Sequence, residues 1–477
     1  MGERKTGFGQ KLKNLFSGGK NQYPTDQIFT GMREQKPDIN GNYPIICPYC
    51  LENVDPNDVL IRASYIGTTD NGFTDFFPQN DEKYAAFWQR MEQEQDSVLP
   101  ILIHPTDTTK VAQRIPADFK KTVYEVVDIY GNSSNEKVCP HCHNPLPLHT
   151  GAVPNYIISL LGNTFVGKTA YLTKMVYLIS QCEMLRDLGI SCHAENHKAK
   201  EILQKHGEIF KTVGPDENGQ KMTRATAINF QEPAIYTLRY REDGINHDIG
   251  ITFYDFPGEA IWRDDMEFIK LKTRNVKNAN GWMLLLDCSS LNKVYDVITQ
   301  RGDQEKYISA SGFENGRSGS QISSPPSASQ VLDAICSHWV DENGVIDIPV
   351  SVVITKSDLM EEFRDELELT GERQFLIDNT SETHRRYVDC DDLLKMHVSI
   401  QSTLDEWKEN IVTLCRNNLN TYMWFAMSST GQPVEYGENI NAGRPIRALE
   451  PLEWLLLQFG FLKGHRKYAK LEELKIK

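Results

Sequence analysis

Short apolar runs, each stopped by polar or glycine-rich residues, recur from Tyr156 to Ala426. They are Tyr156–Leu161, Ala234–Tyr240, Ile249–Tyr254, Gly281–Asp287, Pro349–Ile354 and Tyr422–Ala426. Runs of this length read as strands buried on both faces. Helical stretches lie between them: Ala170 to about Leu188, Ala194 to Lys211, Val331 to Val340, and Asp391 to about Asn417. Strands alternating with helices predict an α/β fold with a mostly parallel sheet and helices on both faces. Glu242-Asp243-Gly244 turns the second run into the third, so this hairpin supplies one antiparallel edge strand. Gly312 to Gln330 is rich in Ser, Gly and Pro and is expected to be disordered.

The first 150 residues read differently. Residues 1–40 are expected to be a basic tail, with Phe8, Leu12, Leu15 and Phe16 on one face of a short helix that Gly18-Gly19 would stop. Such a helix could lie on an anionic membrane or dock on a partner; the plainer reading is a mobile tail. Residues 41–150 hold two knuckles, Cys47-Pro48-Tyr49-Cys50 and Cys139-Pro140-His141-Cys142. Each C-x₂-C turn aims two thiolates at one point, and two turns complete a tetrahedral zinc site with no open position. That site is expected to be structural, with His141 and His143 as runner-up ligands. The knuckles are separated by 88 residues, so an α/β insertion must interrupt the ribbon. Its expected elements include a helix from Glu82 to Gln95; Pro145, Pro147 and Pro154 mark a linker onward.

The chemistry concentrates at the ends of the apolar runs. Gly162-Asn163-Thr164-Phe165-Val166-Gly167-Lys168-Thr169 fits G-x-x-x-x-G-K-[ST] between a strand and a helix. In that context the backbone from Gly162 through Asn163, Thr164, Phe165, Val166 and Gly167 to Ala170 cradles phosphate at a helix start. Lys168 reaches the terminal phosphates and the Thr169 hydroxyl ligates Mg²⁺. Asp255 ends its strand where a carboxylate can hold the Mg²⁺ shell through water, and Gly258 lets a backbone N–H approach the γ-phosphate. Thr355-Lys356-Ser357-Asp358 selects guanine: Asp358 accepts from N1–H and the 2-amino group, and the Lys356 stem packs over the ring. The loop Met427-Ser428-Ser429-Thr430-Gly431 is suited to touching the guanine carbonyl with backbone N–H groups, though a plain strand-to-helix turn reads nearly as well.

These four elements, GNTFVGKT, DFPG, TKSD and AMSST, resemble the motif series of the translation-factor-related, Ras-like GTPases. The zinc-knuckle preface and the ending from Arg447 to Leu456 resemble the bacterial double-GTPase proteins of prokaryotic conflict systems. The resemblance implies a P-loop NTPase domain over residues 151–463, followed by a charged tail over 464–477. It implies a switch threonine on Mg²⁺, for which Thr226 is the first choice and Thr223 the second. It also implies a catalytic group right after D-x-x-G, where Ras-like members carry glutamine and translation factors histidine. Here that residue is Glu259, which could orient water or repel phosphate, so slow or partner-activated hydrolysis is expected. Arg263 in the same region reads best as a surface residue.

The expectation is thus a GTP-dependent switch using GTP, Mg²⁺ and Zn²⁺, with Lys168, Thr226 and Glu259 as its catalytic residues and a protein partner such as a second GTPase. A nonhydrolysing GTP-binding scaffold and an ATPase with an accidental T-K-S-D stay open as alternatives. A net charge of −14 disfavours a nucleic-acid reader. The ten cysteines, two tight pairs and six scattered, suit a reducing compartment. No apolar run approaches the roughly 18 residues of a membrane span and no secretory signal is seen, so a cytoplasmic protein is expected.

Overall fold

The computed structural model describes residues 33–64, 76–181, 190–210, 232–242, 244–256, 274–307, 327–339, 344–369, 388–434 and 444–465, with residues 29, 31 and 258. The central sheet has seven strands: β1 (Asn155–Leu161), β2 (Ile190–Ala194), β3 (Ala234–Glu242), β4 (Ile245–Asp255), β5 (Gly281–Asp287), β6 (Ile346–Thr355) and β7 (Leu419–Ala426). Their spatial order is β2-β3-β4-β1-β5-β6-β7. β1 pairs in parallel with β4 and β5, and β6 in parallel with β5 and β7. β3 runs against both of its neighbours. Every residue of β1 after Asn155 is buried, as expected of a mostly apolar strand covered by helices on both faces, and the buried Ser159 hydroxyl donates to Asn275 O at 3.1 Å.

The helices are α1 (Lys168–Gln181), α2 (His197–Ile209), α3 (Asn292–Arg301), α4 (Ala328–Trp339), α5 (Cys390–Glu406), α6 (Ile411–Asn418) and α7 (Glu450–Gln458). One apolar core joins them to the sheet. α7 lies on β6, where Ser351 Oγ donates to Pro451 O at 2.9 Å. Just past α7, Phe459 stacks on Tyr156 of β1 at 4.1 Å between ring centroids. α5 guards β7, whose outer edge would otherwise present unpaired backbone groups. There His397 Nδ1 accepts the Trp424 N–H at 3.0 Å; burial pulls its pKa down to about 4, so the ring stays neutral and able to accept. Among the described residues no helix is long and apolar enough to cross a membrane.

The structure corrects several expectations. The antiparallel strand is β3, but the edge belongs to β2, which the sequence reading left unassigned. β2 is short, and Ser191 and His193 interrupt its apolar residues, so no apolar run marked it. The expected tail packs from Arg33 onward: Arg33 N donates to Gln458 O, and Gln35 N to the Tyr156 hydroxyl. The proline-marked linker is also held, because the buried Lys137 donates to the carbonyls of Leu148 and Thr150. At the other end Gly464–His465 pairs with Val388–Asp389, so the expected C-terminal tail begins inside the fold. The amphipathic stretch at Phe8–Phe16 and most of the Gly312–Gln330 loop lie outside the described residues.

In the N-terminal module, strand Leu60–Arg62 leaves the first knuckle and pairs antiparallel with Glu136–Val138, which enters the second. That pairing closes the gap in the ribbon and pushes residues 63–135 out as an insertion. The insertion helix is Glu82–Arg90, capped by Asp81. Asp81 also accepts from Arg62 at 3.1 Å and from His143 Nδ1 at 2.6 Å, fastening the helix to the second knuckle.

A buried ion cluster lies under α7. Arg447 donates to Asp392 at 2.6 Å and to Glu450 at 2.8 Å, and Glu453 is close by. One guanidinium cannot neutralise three carboxylates. Burial pushes Glu450 up to about 8 and Glu453 up to about 7, against the pull of Arg447. The folded chain therefore holds protons that the unfolded chain releases near pH 4.5. This contribution to stability is full below that pH and is lost as pH rises through 7 and 8. Thermal melts from pH 5.5 to 8.5 are expected to show the wild type losing more stability with rising pH than Glu450→Gln.

Candidate nucleotide and metal sites

The sheet's carboxyl edge is built by register. Leu160 of β1 sits beside Asp255 of β4, and Leu161 beside Leu284 of β5. Further along, Asp287 of β5 faces Thr355 of β6, and Ile354 faces Ala426 of β7. The phosphate-loop residues, Asp255, Thr355 and Ser428 thus leave their strands along one line.

The loop from Gly162 to Gly167 curls because three of its residues take positive φ: Gly162 at 145°, Phe165 at 64° and Gly167 at 87°. A Cβ on Gly162 would stand 2.4 Å from the Leu285 carbonyl, so only glycine fits there. Lys168 begins α1 and folds back, its Nζ donating to Gly162 O at 3.0 Å and Asn163 O at 2.7 Å. The next residue, Thr169, donates its hydroxyl to Asp255 Oδ2 at 2.6 Å. The two side chains assigned to Mg²⁺ therefore meet, and a hydroxyl next to a carboxylate is an oxygen donor set that suits this ion. Gly258 presses on the loop: a Cβ there would lie 2.4 Å from Thr164 N and Asn163 C. Thr164 and Val166 complete the loop, and Ala170 packs beside Ile209 and Phe210.

At the base end, Thr355 Oγ1 donates to Val166 O at 2.9 Å and ties this strand end to the phosphate loop. Lys356 takes a left-handed φ of 56°, and its Nζ pairs with Asp287 Oδ2 at 2.6 Å. Asp358 is buried at the start of a short helix, Asp358–Glu362. Its Oδ1 has no hydrogen-bond partner among the described residues. Burial pushes its pKa up, against the Ser428 hydroxyl that pulls it down. An unpartnered buried acceptor at this position fits the paired N–H groups of guanine.

The base loop differs from expectation in one respect. Ser428 N–H donates to Ile446 O at 3.1 Å and Ser428 O accepts from Ile446 N at 2.8 Å. Its amide is committed to this bridge, which leaves Ser429 and Thr430 to meet a carbonyl, while the Ser428 hydroxyl accepts from the Gly431 N–H at 2.8 Å. Asp287 was missed by the sequence reading. Its only signal was its place at the end of an apolar strand, the same place that marked Asp255. Thr226, Thr223, Glu259 and Arg263 lie outside the described residues.

The four cysteines of the knuckles come together, all four Sγ atoms lying within 4.8 Å of one another. Cys47 and Cys142 are 3.7 Å apart, as are Cys50 and Cys139. Four sulfurs at about 2.3 Å from one zinc ion would stand about 3.8 Å apart, so the cluster fits a tetrahedral site. The two turns repeat each other. Leu51 N donates to Cys47 O and His143 N to Cys139 O, both at 2.9 Å, with Leu51 and His143 both at positive φ. Tyr49 N and His141 N each point at the first sulfur of their knuckle at 3.4 Å. The runner-up histidines are engaged elsewhere, His141 Nε2 with Asn53 O and His143 with Asp81.

A search of curated proteins found no match. Among solved structures, the Saccharomyces cerevisiae Ski7 GTPase-like domain bound to GTP is 17% identical, over 58% of this chain and 43% of that one, with a TM-score of 0.25. The Arl6 small GTPase of Trypanosoma brucei is 8% identical over 65% of this chain and 99% of its own, at 0.25. Era of Aquifex aeolicus bound to GDP and AlF4⁻ is 9% identical over 67% and 61%, at 0.21. The profile of the Double-GTPase 2 family matches residues 156–408, more than half of the sequence. That span runs from β1 through the phosphate loop, Asp255 and Asp358, and by it the chain belongs to the Double-GTPase 2 family.

Proposed function

We propose that the chain binds Mg²⁺·GTP along this edge and acts as a switch whose hydrolysis is slow or raised by a protein partner. The observation that carries the reading is the buried Asp358 carboxylate, with an unpartnered oxygen, on the same edge as Lys168 and the Thr169–Asp255 pair. Lys168 exchanges its carbonyl partners for the terminal phosphates. Thr169, Asp255 and Thr226 would hold the magnesium ion. When bound, the ion neutralises charge on the phosphates. The Gly258 amide meets the γ-phosphate, and Glu259 orients the attacking water. The four cysteines hold a structural zinc. Partners are proteins, a second GTPase first among them, in a bacterial conflict system in the cytoplasm; a nucleic acid is not expected.

Single-turnover phosphate release from preloaded GTP tests the catalytic part. Release is expected in the wild type and should fall about 100-fold or more in Glu259→Ala, the low end for a lost catalytic base. No release from either protein would instead establish a nonhydrolysing scaffold. Asp287→Asn tests the base end. Loss of the Lys356 pair is expected to weaken GDP and GTP alike by about fivefold, roughly 1 kcal/mol. A loss confined to GTP would place Lys356 at the phosphates instead.

A further inference from the structure

The two knuckles are alike in backbone but face different neighbours. The second is bound within its own module: Pro140 O accepts from Lys83 Nζ at 2.8 Å, His141 bonds Asn53, and His143 bonds Asp81. The first turns outward onto the nucleotide domain. Pro48 O, the counterpart of Pro140 O, accepts from the buried Tyr254 hydroxyl of β4. The Tyr49 hydroxyl reaches Glu232 Oε1 at 3.5 Å. Leu51 joins the apolar core of the nucleotide domain, and Glu52 accepts from Arg274 at 2.7 Å. Ile235 of β3 joins the apolar cluster of the N-terminal module in return.

The partners on the nucleotide side are placed in a revealing way along the chain. Tyr254 immediately precedes Asp255, the residue bonded to Thr169. Glu232 follows Thr226 by six residues, and Arg274 follows Glu259 by fifteen. The Tyr254 contact thus adjoins a residue assigned to Mg²⁺, and the Glu232 and Arg274 contacts follow in sequence the stretches that carry Thr226 and Glu259. A metal held by the four sulfurs would lie between this knuckle and the one anchored in the module, with sulfurs of both 3.7 Å apart.

We infer that the metal centre is coupled to the nucleotide state: the first knuckle, through Pro48, Tyr49 and Glu52, senses whether the γ-phosphate is present. This rests on the GTP reading above. Coupling free energies are reciprocal, so a nucleotide that shifts the knuckle must also change how firmly it holds its metal.

The test uses the full zinc-loaded chain, saturated with Mg²⁺·GDP or with Mg²⁺ and the nonhydrolysable analogue GppNHp. The affinity for zinc is read in each state by competition with a chromogenic chelator. The two affinities should differ about fivefold or more, the low end of measured couplings. Tyr254→Phe removes only the hydroxyl, and the half-exposed Glu52→Gln tolerates change without risk to the fold. Each should shrink the ratio toward one with zinc content unchanged. Equal affinities with both nucleotides demonstrably bound would overturn the coupling and leave the GTP reading standing. A full ratio surviving in both variants would overturn the route through this knuckle. Failure to bind either nucleotide would sink the GTP reading, and the coupling with it.

Discussion

Asp358→Asn is expected to lower GTP affinity by about 100-fold and to raise affinity for xanthosine triphosphate. The buried carboxylate is the acceptor for two guanine N–H groups, and charge-assisted bonds of that kind are each worth about 1.5–3 kcal/mol. An asparagine offers one acceptor and one donor. Xanthine carries a carbonyl in place of the 2-amino group and so matches that pattern. The fold should tolerate the change, since burial already disfavours the charge on Asp358. The same upward shift gives a sign for pH: as pH falls toward the raised pKa, Asp358 gains a proton, loses an acceptor, and guanine affinity drops. Competition against a fluorescent nucleotide reads both effects. A variant that keeps its GTP affinity, or gains nothing for the xanthine nucleotide, would remove Asp358 from the base pocket.

Stripping the metal is expected to collapse the N-terminal module while the seven-stranded sheet survives. The strands around the knuckles are two or three residues long, and hairpins that short are marginal without help. The four cysteines sit inside the module's own apolar cluster with Ile45, Val54, Val59 and Ile61. Structural zinc contributes on the order of 10 kcal/mol to domains of this kind. Cys142→Ser should therefore lose zinc and expose the chain near Ile61 and Val126 to amide exchange, leaving β1 and β5 protected. The purified, reduced wild type should carry one zinc per chain. Less than that, or a serine variant with wild-type protection in the module, would refute the site.

Where burial was two-sided, the apolar run announced the strand, as for β1, β5 and β6. Where it was one-sided, the signal failed: β2 exposes alternate residues at the sheet edge and left no run to find. Local motifs fared similarly. The phosphate loop and the knuckles were legible because each is a short backbone device with its chemistry inside it. Asp287 and the bridge from Ser428 to Ile446 were not, because their meaning depends on partners 69 and 18 residues away. The insertion's helix was legible, but what closes the gap was not, since it is the pairing of Leu60 with Val138. Arg33 to Gln35 looked like tail because the Arg33 and Gln35 side chains meet backbone carbonyls of the domain, which leaves no apolar pattern.

The account depends on Lys168 and Asp358 serving one nucleotide at one sheet edge. Calorimetric titration of Mg²⁺·GTP and Mg²⁺·ATP into the wild type and Lys168→Ala addresses it most directly. The expected result is one GTP per chain, ATP weaker by about 100-fold or more, and no detectable heat with the alanine variant. ATP binding as well as GTP, or GTP binding unchanged in Lys168→Ala, would contradict it.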